Sequence, residues 1–172
     1  MTVIQLAKPA DAEAIAAFAN GSFTHTFGHI YDPADLATFL ADWNPPERVR
    51  AQIASDDHDV ALVRDDAGAI LGYIKMGPVD FALPEGQPTG SAVELHQLYV
   101  AEAAKGTGVA VALMDWGIAW ARGRASTLYL TVFTENDRAQ AFYRRYGFYD
   151  VGRNEFRVGN HIDEDRFFRL DL

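Results

Sequence analysis

Leu98-Tyr99-Val100, followed after four residues by Lys105-Gly106-Thr107-Gly108-Val109-Ala110, is the stretch that decides the fold of this chain. It predicts a strand, a short loop and a glycine-rich turn that begins a helix. The first N–H groups of a helix have no acceptor within it, so such a turn is a site for anions, phosphates above all. The glycines permit positive φ angles and let a ligand approach the backbone closely.

A second segment, Asn136 to Phe148, makes the first one more specific. Its apolar side chains recur at spacings of three and four residues, which predicts an amphipathic helix: Ala139, Phe142, Tyr143 and Tyr146. Gly147 is expected to end this helix. Between the two helices, Leu128 to Phe133 predicts a strand that is apolar on both faces, as at the centre of a sheet.

The composition favours one soluble domain over residues 1–172, with 49 % hydrophobic and 23 % charged residues. The absence of cysteine excludes disulfides, thiol nucleophiles and cysteine-ligated zinc. No membrane span or signal peptide is recognisable, so we expect a cytoplasmic location and no membrane partner. The net charge of −9 argues against a nucleic-acid partner. It fits either solubility or attraction of a cationic substrate.

The remaining elements predict a mixed α/β (α+β) sheet with helices on both faces. Strands are expected at Val3–Leu6, in a hairpin around Asp65–Gly68, over Ala92–Val100 and twice after Gly147, with further helices from Asp11, Pro33 and Pro46. The segment from Phe23 to Tyr31 is unusual, with aromatic and histidine residues among small residues and one glycine, and it is assigned to no helix or strand.

The two motifs resemble the GCN5-related N-acetyltransferase (GNAT) family. Lys105 to Ala110 fits the family pattern Arg/Gln-x-x-Gly-x-Gly/Ala, with lysine where arginine or glutamine is usual. The pattern Asn-x-x-Ala-x-x-Phe/Leu-Tyr-x-x-x-Gly-Phe is matched by Asn136, Ala139, Phe142, Tyr143, Gly147 and Phe148. The resemblance implies the acyl-CoA N-acyltransferase fold, a mostly antiparallel sheet with one splayed strand pair. It also implies an acyltransferase that uses acetyl-CoA as co-substrate.

A finer resemblance suggests the acceptor. Ser22 to Phe27, Asp35 to Leu40 and Tyr73-Ile74-Lys75 are similar to the PaiA-type branch, which acetylates polyamines such as spermidine and spermine. The expected acceptor is therefore the primary amine of a small molecule, with a polyamine as the finer expectation. A protein N-terminus, a lysine, an amino acid or an antibiotic is the alternative acceptor. A non-catalytic acyl-CoA-binding module is the alternative function, and the apolar C-terminal strands suggest a homodimer.

The family resemblance also implies roles for individual residues. The CoA pyrophosphate is expected on the turn, and the pantetheine arm along the preceding strand: Lys105, Gly106, Thr107, Gly108, Val109 and Ala110, then Leu98, Tyr99 and Val100. Asn136 is expected to bind the CoA arm, or else only to cap its helix. Tyr143 is expected to protonate the leaving thiolate, although helical periodicity alone would make it a core residue.

The incoming ammonium must lose a proton, and Glu94 or His96 could accept it. The two residues are two apart on a strand, so they should share a face with Leu98 and Val100, unless a bulge of the kind common in this family shifts the phase. An ordinary polar strand end is the alternative. His25, Phe27 and Tyr31 are expected to bind the acceptor, or simply to form a surface loop.

Other chemistries lack their motifs. No cluster of histidine and acidic residues has convincing metal spacing, so we expect no metal. No Ser-His-Asp arrangement is detectable, and direct transfer needs no covalent intermediate. The glycine turn lacks the Gly-Lys-Ser/Thr ending of a nucleotide-binding P-loop.

Overall fold

A single seven-stranded sheet organises the chain in a computed structural model that describes residues 2–88 and 90–172. The strands are β1 Gln5–Leu6, β2 Asp59–Arg64, β3 Ile70–Pro78, β4 Ala92–Val100, β5 Thr127–Phe133, β6 Tyr149–Val158 and β7 His161–Asp171. Their spatial order is β1-β2-β3-β4-β5-β7-β6. Neighbouring strands are antiparallel except for β4 and β5, which are parallel. The predicted mixed, mostly antiparallel sheet is confirmed.

Five α-helices cover the two faces of the sheet. They are α1 Ala12–Phe27, α2 Pro33–Trp43, α3 Pro46–Ala54, α4 Val109–Arg122 and α5 Asp137–Arg145. α4 and α5 pack over one face through a core that includes Leu113 and Phe148. α1 and α3 pack over the other face, around Ile15 and Val49. No helix among the described residues is long and apolar enough to cross a membrane.

The parallel pair β4–β5 separates along its length. Its backbone pairing covers only Ala92–Glu94 against Thr127–Tyr129. Both strands continue past this ladder, β4 to Val100 and β5 to Phe133. The predicted splayed pair is therefore confirmed, and the gap exposes backbone groups that have no partner strand on that side.

A β-bulge in β4 shifts the side-chain phase. Lys75 pairs with Gln97, but the next residue of β3, Met76, pairs with Leu95, which leaves His96 as the extra residue. Glu94 consequently does not share a face with Leu98, and of the two expectations it is the one with a bulge that holds. The bulge turns Glu94 to the side that carries α1 and α3.

The first helix is longer than predicted. α1 runs through Phe27, so His25 and Phe27 are helical, and Tyr31 follows the short turn Gly28–Ile30. The expectation of a loop at His25 is wrong. The physical reason is that Phe23, 3 % exposed, continues the buried stripe of α1 into an aromatic cluster with Trp43 of α2.

Candidate active site

A cavity of about 550 Å³ lies where β4 and β5 diverge. One end is lined by Leu98 of β4, by the end of β5 and by Tyr143 of α5. Polar side chains also line the cavity: Tyr31, Arg48, Lys75, Glu94, Asp163 and Asp165. The cavity thus connects the gap between the strands to a polar chamber.

The glycine turn before α4 has the predicted geometry. Gly106 and Gly108 have φ angles of 79° and 91°, in the left-handed region that favours glycine. A Cβ atom added at either position would meet nothing within 4 Å, so the turn is open to a ligand. Gly108 is the N-cap, and the Ala112 N–H donates to its carbonyl at 2.9 Å. The N–H groups of Val109, Ala110 and Val111 are those that a helix leaves without an acceptor.

Two basic side chains lie beside this turn. Lys105 forms an ion pair with Glu102, and His25 Nε2 lies 3.5 Å from the same carboxylate. His25 is 68 % exposed in its side chain, and the structure places it near the turn, apart from the lining of the cavity. The expected contribution of His25 to the acceptor site is therefore not supported, whereas Phe27 and Tyr31 both line the cavity.

Asn136, just before α5, and Tyr143, within α5, both reach the gap. The Asn136 side chain accepts a hydrogen bond from the Ala139 N–H at 3.1 Å, so Asn136 caps the helix and also lines the cavity. Tyr143 is 9 % exposed and lines the same cavity. Burial raises the pKa of the Tyr143 phenol above its usual value, so it remains protonated at neutral pH.

Glu94, His96 and Asp80 meet at the bulge. His96 Nδ1 lies 3.3 Å from Glu94 Oε1 and 3.5 Å from Asp80 Oδ2, while the Asp80 N–H donates to Glu94 Oε2 at 3.1 Å. Burial raises the pKa of Glu94 to about 8, and burial lowers the pKa of His96 to about 4. Glu94 is therefore a carboxyl group that exchanges its proton close to physiological pH.

The same three residues form the one metal-like cluster among the described residues, with one potential ligand atom each within 4.8 Å of one another. Spacing along the chain could not show this cluster, because Asp80 reaches it from the loop after β3. The absence of a metal cofactor stays a prediction.

Two carboxylates of β7 line the cavity, with Asp165 paired to Phe133 at the end of β5. Asp163 is held by a short hydrogen bond from the Tyr31 hydroxyl and by His161 Nε2 at 2.9 Å. Asp165 is 7 % exposed, and no described side chain donates a hydrogen bond to it. Burial, together with the charge of Asp163, raises the pKa of Asp165 to about 7.

Sequence reasoning missed Lys75, Asp163 and Asp165 as site residues. The only available signals were a lysine between apolar neighbours in β3 and two acids spaced by two on β7, which places them on one face. Such patterns are also common at ordinary strand surfaces. Only the packing of β7 against the open end of β5 brings the acids to the cavity.

Comparison with known proteins assigns the family. A model of the acetyltransferase (GNAT) family matches residues 14–148. The chain belongs to the GNAT family. An uncharacterized N-acetyltransferase of Mycobacterium tuberculosis is 31 % identical over 163 residues, which is 90 % of this chain and 94 % of that one. The N-alpha-acetyltransferase RimI of the same organism is 31 % identical over 116 residues, 66 % of this chain and 68 % of its own.

Solved GNAT structures share the whole fold. The PaiA N-acetyltransferase of Thermoplasma acidophilum in complex with coenzyme A has a TM-score of 0.75 at 16 % identity, covering 100 % of this chain and 99 % of that one. Arabidopsis thaliana NAA60 in complex with acetyl-CoA has a TM-score of 0.71 at 15 % identity, with coverage of 100 % and 99 %. This GNAT protein is an acetyl-CoA-dependent N-acetyltransferase with acetyl-CoA as co-substrate, so the non-catalytic alternative is set aside.

Proposed function

We propose that this GNAT enzyme transfers acetyl from acetyl-CoA directly to the primary amine of a small molecule that carries further positive charge, the class that includes the polyamines. The observation that carries the proposal is Asp165, a buried carboxylate without a described hydrogen-bond donor that lines the same cavity as Tyr143. A buried carboxylate is stable only when it is paired or protonated, so a cationic ligand is the natural partner.

The residues around the glycine turn fit acetyl-CoA. The open side of Gly106 and Gly108 gives an anion access to backbone N–H groups at the N-terminus of α4, where the helix dipole also favours negative charge. We propose that the pyrophosphate binds on Gly106 to Ala110. Lys105 adds a positive charge there but cannot form the bidentate contact of an arginine.

The gap between β4 and β5 fits the pantetheine arm. Leu98, Tyr99 and Val100 lie beyond the last β4–β5 pair, so their backbone edge toward β5 is available to the amides of the arm. Asn136 lies on the same cavity and is proposed to contact the arm in addition to capping α5. A backbone N–H near Leu98 is the proposed donor to the thioester oxygen as negative charge develops on it.

Glu94 and Tyr143 are proposed as the base and the acid of the transfer. The ammonium must lose a proton before its nitrogen can attack, and Glu94, with a pKa of about 8, can accept that proton when ionised. His96 contacts Glu94 and is proposed to orient it or to share the proton. Tyr143 remains a phenol at neutral pH and can protonate the departing thiolate.

The test is the release of free CoA thiol with a defined panel of amines. Spermidine, spermine and putrescine are compared with butylamine, which has a single amine, and with a peptide that has a free N-terminus. We expect turnover with the multiply charged amines to exceed turnover with butylamine. A preference for the peptide would instead assign the activity named for the RimI relative, and a preference for butylamine would remove the role of Asp165.

A further inference from the structure

Lys75 is a buried cation whose side-chain hydrogen bonds go to neutral groups. Its side chain enters the cavity from β3 and the residue is 6 % exposed. The Nζ atom donates to two neutral amide oxygens, Gln52 Oε1 at 3.2 Å and Asn44 Oδ1 at 3.4 Å. No described carboxylate lies within 4.0 Å of it. Since an ammonium has three donors, one remains for the cavity.

A second cation lines the same cavity and lies near enough to Lys75 to influence its charge. Arg48 of α3 also lines the cavity, and its Nη1 donates to the backbone carbonyls of Asp42 at 2.8 Å and Trp43 at 3.0 Å. These two bonds fix the guanidinium while leaving its other donors free. Arg48 is near enough to Lys75 for its charge to oppose that of the ammonium, and this repulsion adds to burial, which lowers the pKa of Lys75 to about 8.

Two acids lie near Lys75 without forming an ion pair with it. The charges of Asp80 and Glu94 raise the pKa of Lys75, against the larger effect of burial. Asp80 is exposed, and both acids act on Lys75 only from beyond ion-pair distance. Arg48 is exposed, whereas the Lys75 ammonium is buried, and a buried charge favours a ligand that supplies the opposite charge.

The position of the pair separates it from the turn that we assign to CoA. Lys75 pairs with Gln97, beside the bulge and Glu94, whereas the glycine turn follows the far end of β4. An anion held by Lys75 therefore belongs to the acceptor. A carboxylate suits the site because it accepts from an ammonium and a guanidinium at once.

We propose that Lys75 and Arg48 form an anion subsite for a carboxylate of the acceptor, so that the acceptor is a diamino acid. This inference rests on the proposed function and narrows it: one amine reacts near Glu94, the carboxylate binds Lys75 and Arg48, and the second ammonium binds Asp165. A simple polyamine would fill only the acidic part of the cavity.

The test uses matched acceptors that differ by one carboxylate, L-ornithine against putrescine and L-lysine against cadaverine. We expect kcat/KM to be higher for each amino acid by about tenfold to a hundredfold, the usual value of one charged hydrogen bond. Lys75→Met and Arg48→Met should each remove this preference, so that the ratio of kcat/KM within each matched pair falls toward one. Arg48→Lys retains the charge and should therefore keep most of the preference for the amino acid over the diamine.

Controls separate folding, acceptor class and subsite. Lys8→Met removes an exposed lysine outside the cavity lining and should leave the ratio of kcat/KM within both substrate pairs unchanged. Thermal unfolding reports whether Lys75→Met folds. Equal kcat/KM within both pairs, or equal losses for both members in the variants, overturns the subsite.

An acceptor-independent measurement keeps the two proposals distinguishable. If none of the four amines reacts, the proposed acceptor class fails. The subsite is then tested by titrating butyrate into the CoA-bound protein while the Lys75 Nζ signal is followed by NMR. We expect a saturable shift that Arg48→Met weakens, and no shift would overturn the subsite.

Discussion

Glu94 Oε1 lies 3.3 Å from His96 Nδ1 at the β-bulge of β4. The bulge makes His96 the extra residue. It directs the side chain of Glu94 toward the polar part of the cavity and away from the core under α4. In a regular strand, Glu94 would share a face with Leu98 and would lie in that core. The bulge therefore determines on which side of the sheet the carboxyl group of Glu94 lies.

Replacing Glu94 tests the proposed base. Because burial raises the pKa of Glu94 to about 8, kcat/KM should rise as the pH increases through about 8 and the group ionises. Glu94→Gln should lose this limb of the pH–rate profile and lower kcat about 10²-fold or more. Glu47→Gln, an exposed change on α3, is the control. An unaltered profile in Glu94→Gln would exclude the assignment.

Removing the Tyr143 hydroxyl tests the proposed acid. Tyr143→Phe should lower kcat by about 10²-fold while CoA affinity, measured by calorimetry, stays near normal, because only protonation of the thiolate is lost. Tyr146→Phe, in the same segment, is the matched control. The hydroxyl of Tyr146 donates to the Val111 carbonyl oxygen at 3.5 Å. Equal turnover in Tyr143→Phe and the wild type would make Tyr143 a packing residue.

Two glycine variants separate strain from binding. Gly108 and Gly68 have φ angles of 91° and 86°, and a Cβ at either would meet nothing within 4 Å. Valine at each position should cost a similar free energy of unfolding, about 1–2 kcal/mol. Only Gly108→Val should also abolish CoA binding, because its side chain would occupy the space above the helix N-terminus. Comparable CoA affinity in both variants would show that the phosphate site lies elsewhere.

Replacing Asp165 tests the proposed cation site in the cavity. Asp165→Asn removes the charge but keeps the size, so the KM for spermidine should rise by about tenfold while the KM for butylamine changes little. Asp171→Asn, at the exposed end of the same strand, should change neither the KM for spermidine nor the KM for butylamine. Parallel changes for the two amines would indicate a general distortion of the cavity.

Asp165 should also affect stability in a pH-dependent way. Its pKa is raised from 3.8 to about 7 in the folded state, so between these values the folded protein binds more protons than the unfolded chain. The free energy of unfolding contributed by this group therefore falls as the pH rises through that window. In urea unfolding, Asp165→Asn should gain stability over the wild type between about pH 4 and 7, by at most about 4 kcal/mol. A constant difference across this range would contradict the assignment.

The sequence alone predicted the family, the sheet type and the CoA end of the site. The turn at Gly106 and Gly108 and the helix beginning after Asn136 are local, because hydrogen bonding and backbone dihedral preferences between near neighbours define them. Residue order is enough to recognise such features, and the structure confirms their geometry.

Only the tertiary structure decided the acceptor end. The bulge at His96, the continuation of α1 through Phe27, and the meeting of Lys75 with Asp163 and Asp165 in one cavity depend on contacts between segments far apart in sequence. The physical reason is that a buried charge is recognised by its surroundings, and a sequence shows the charge but not the burial or the missing partner. The acetyl donor was therefore predictable from local motifs, whereas the chemistry that selects the acceptor depends on packing.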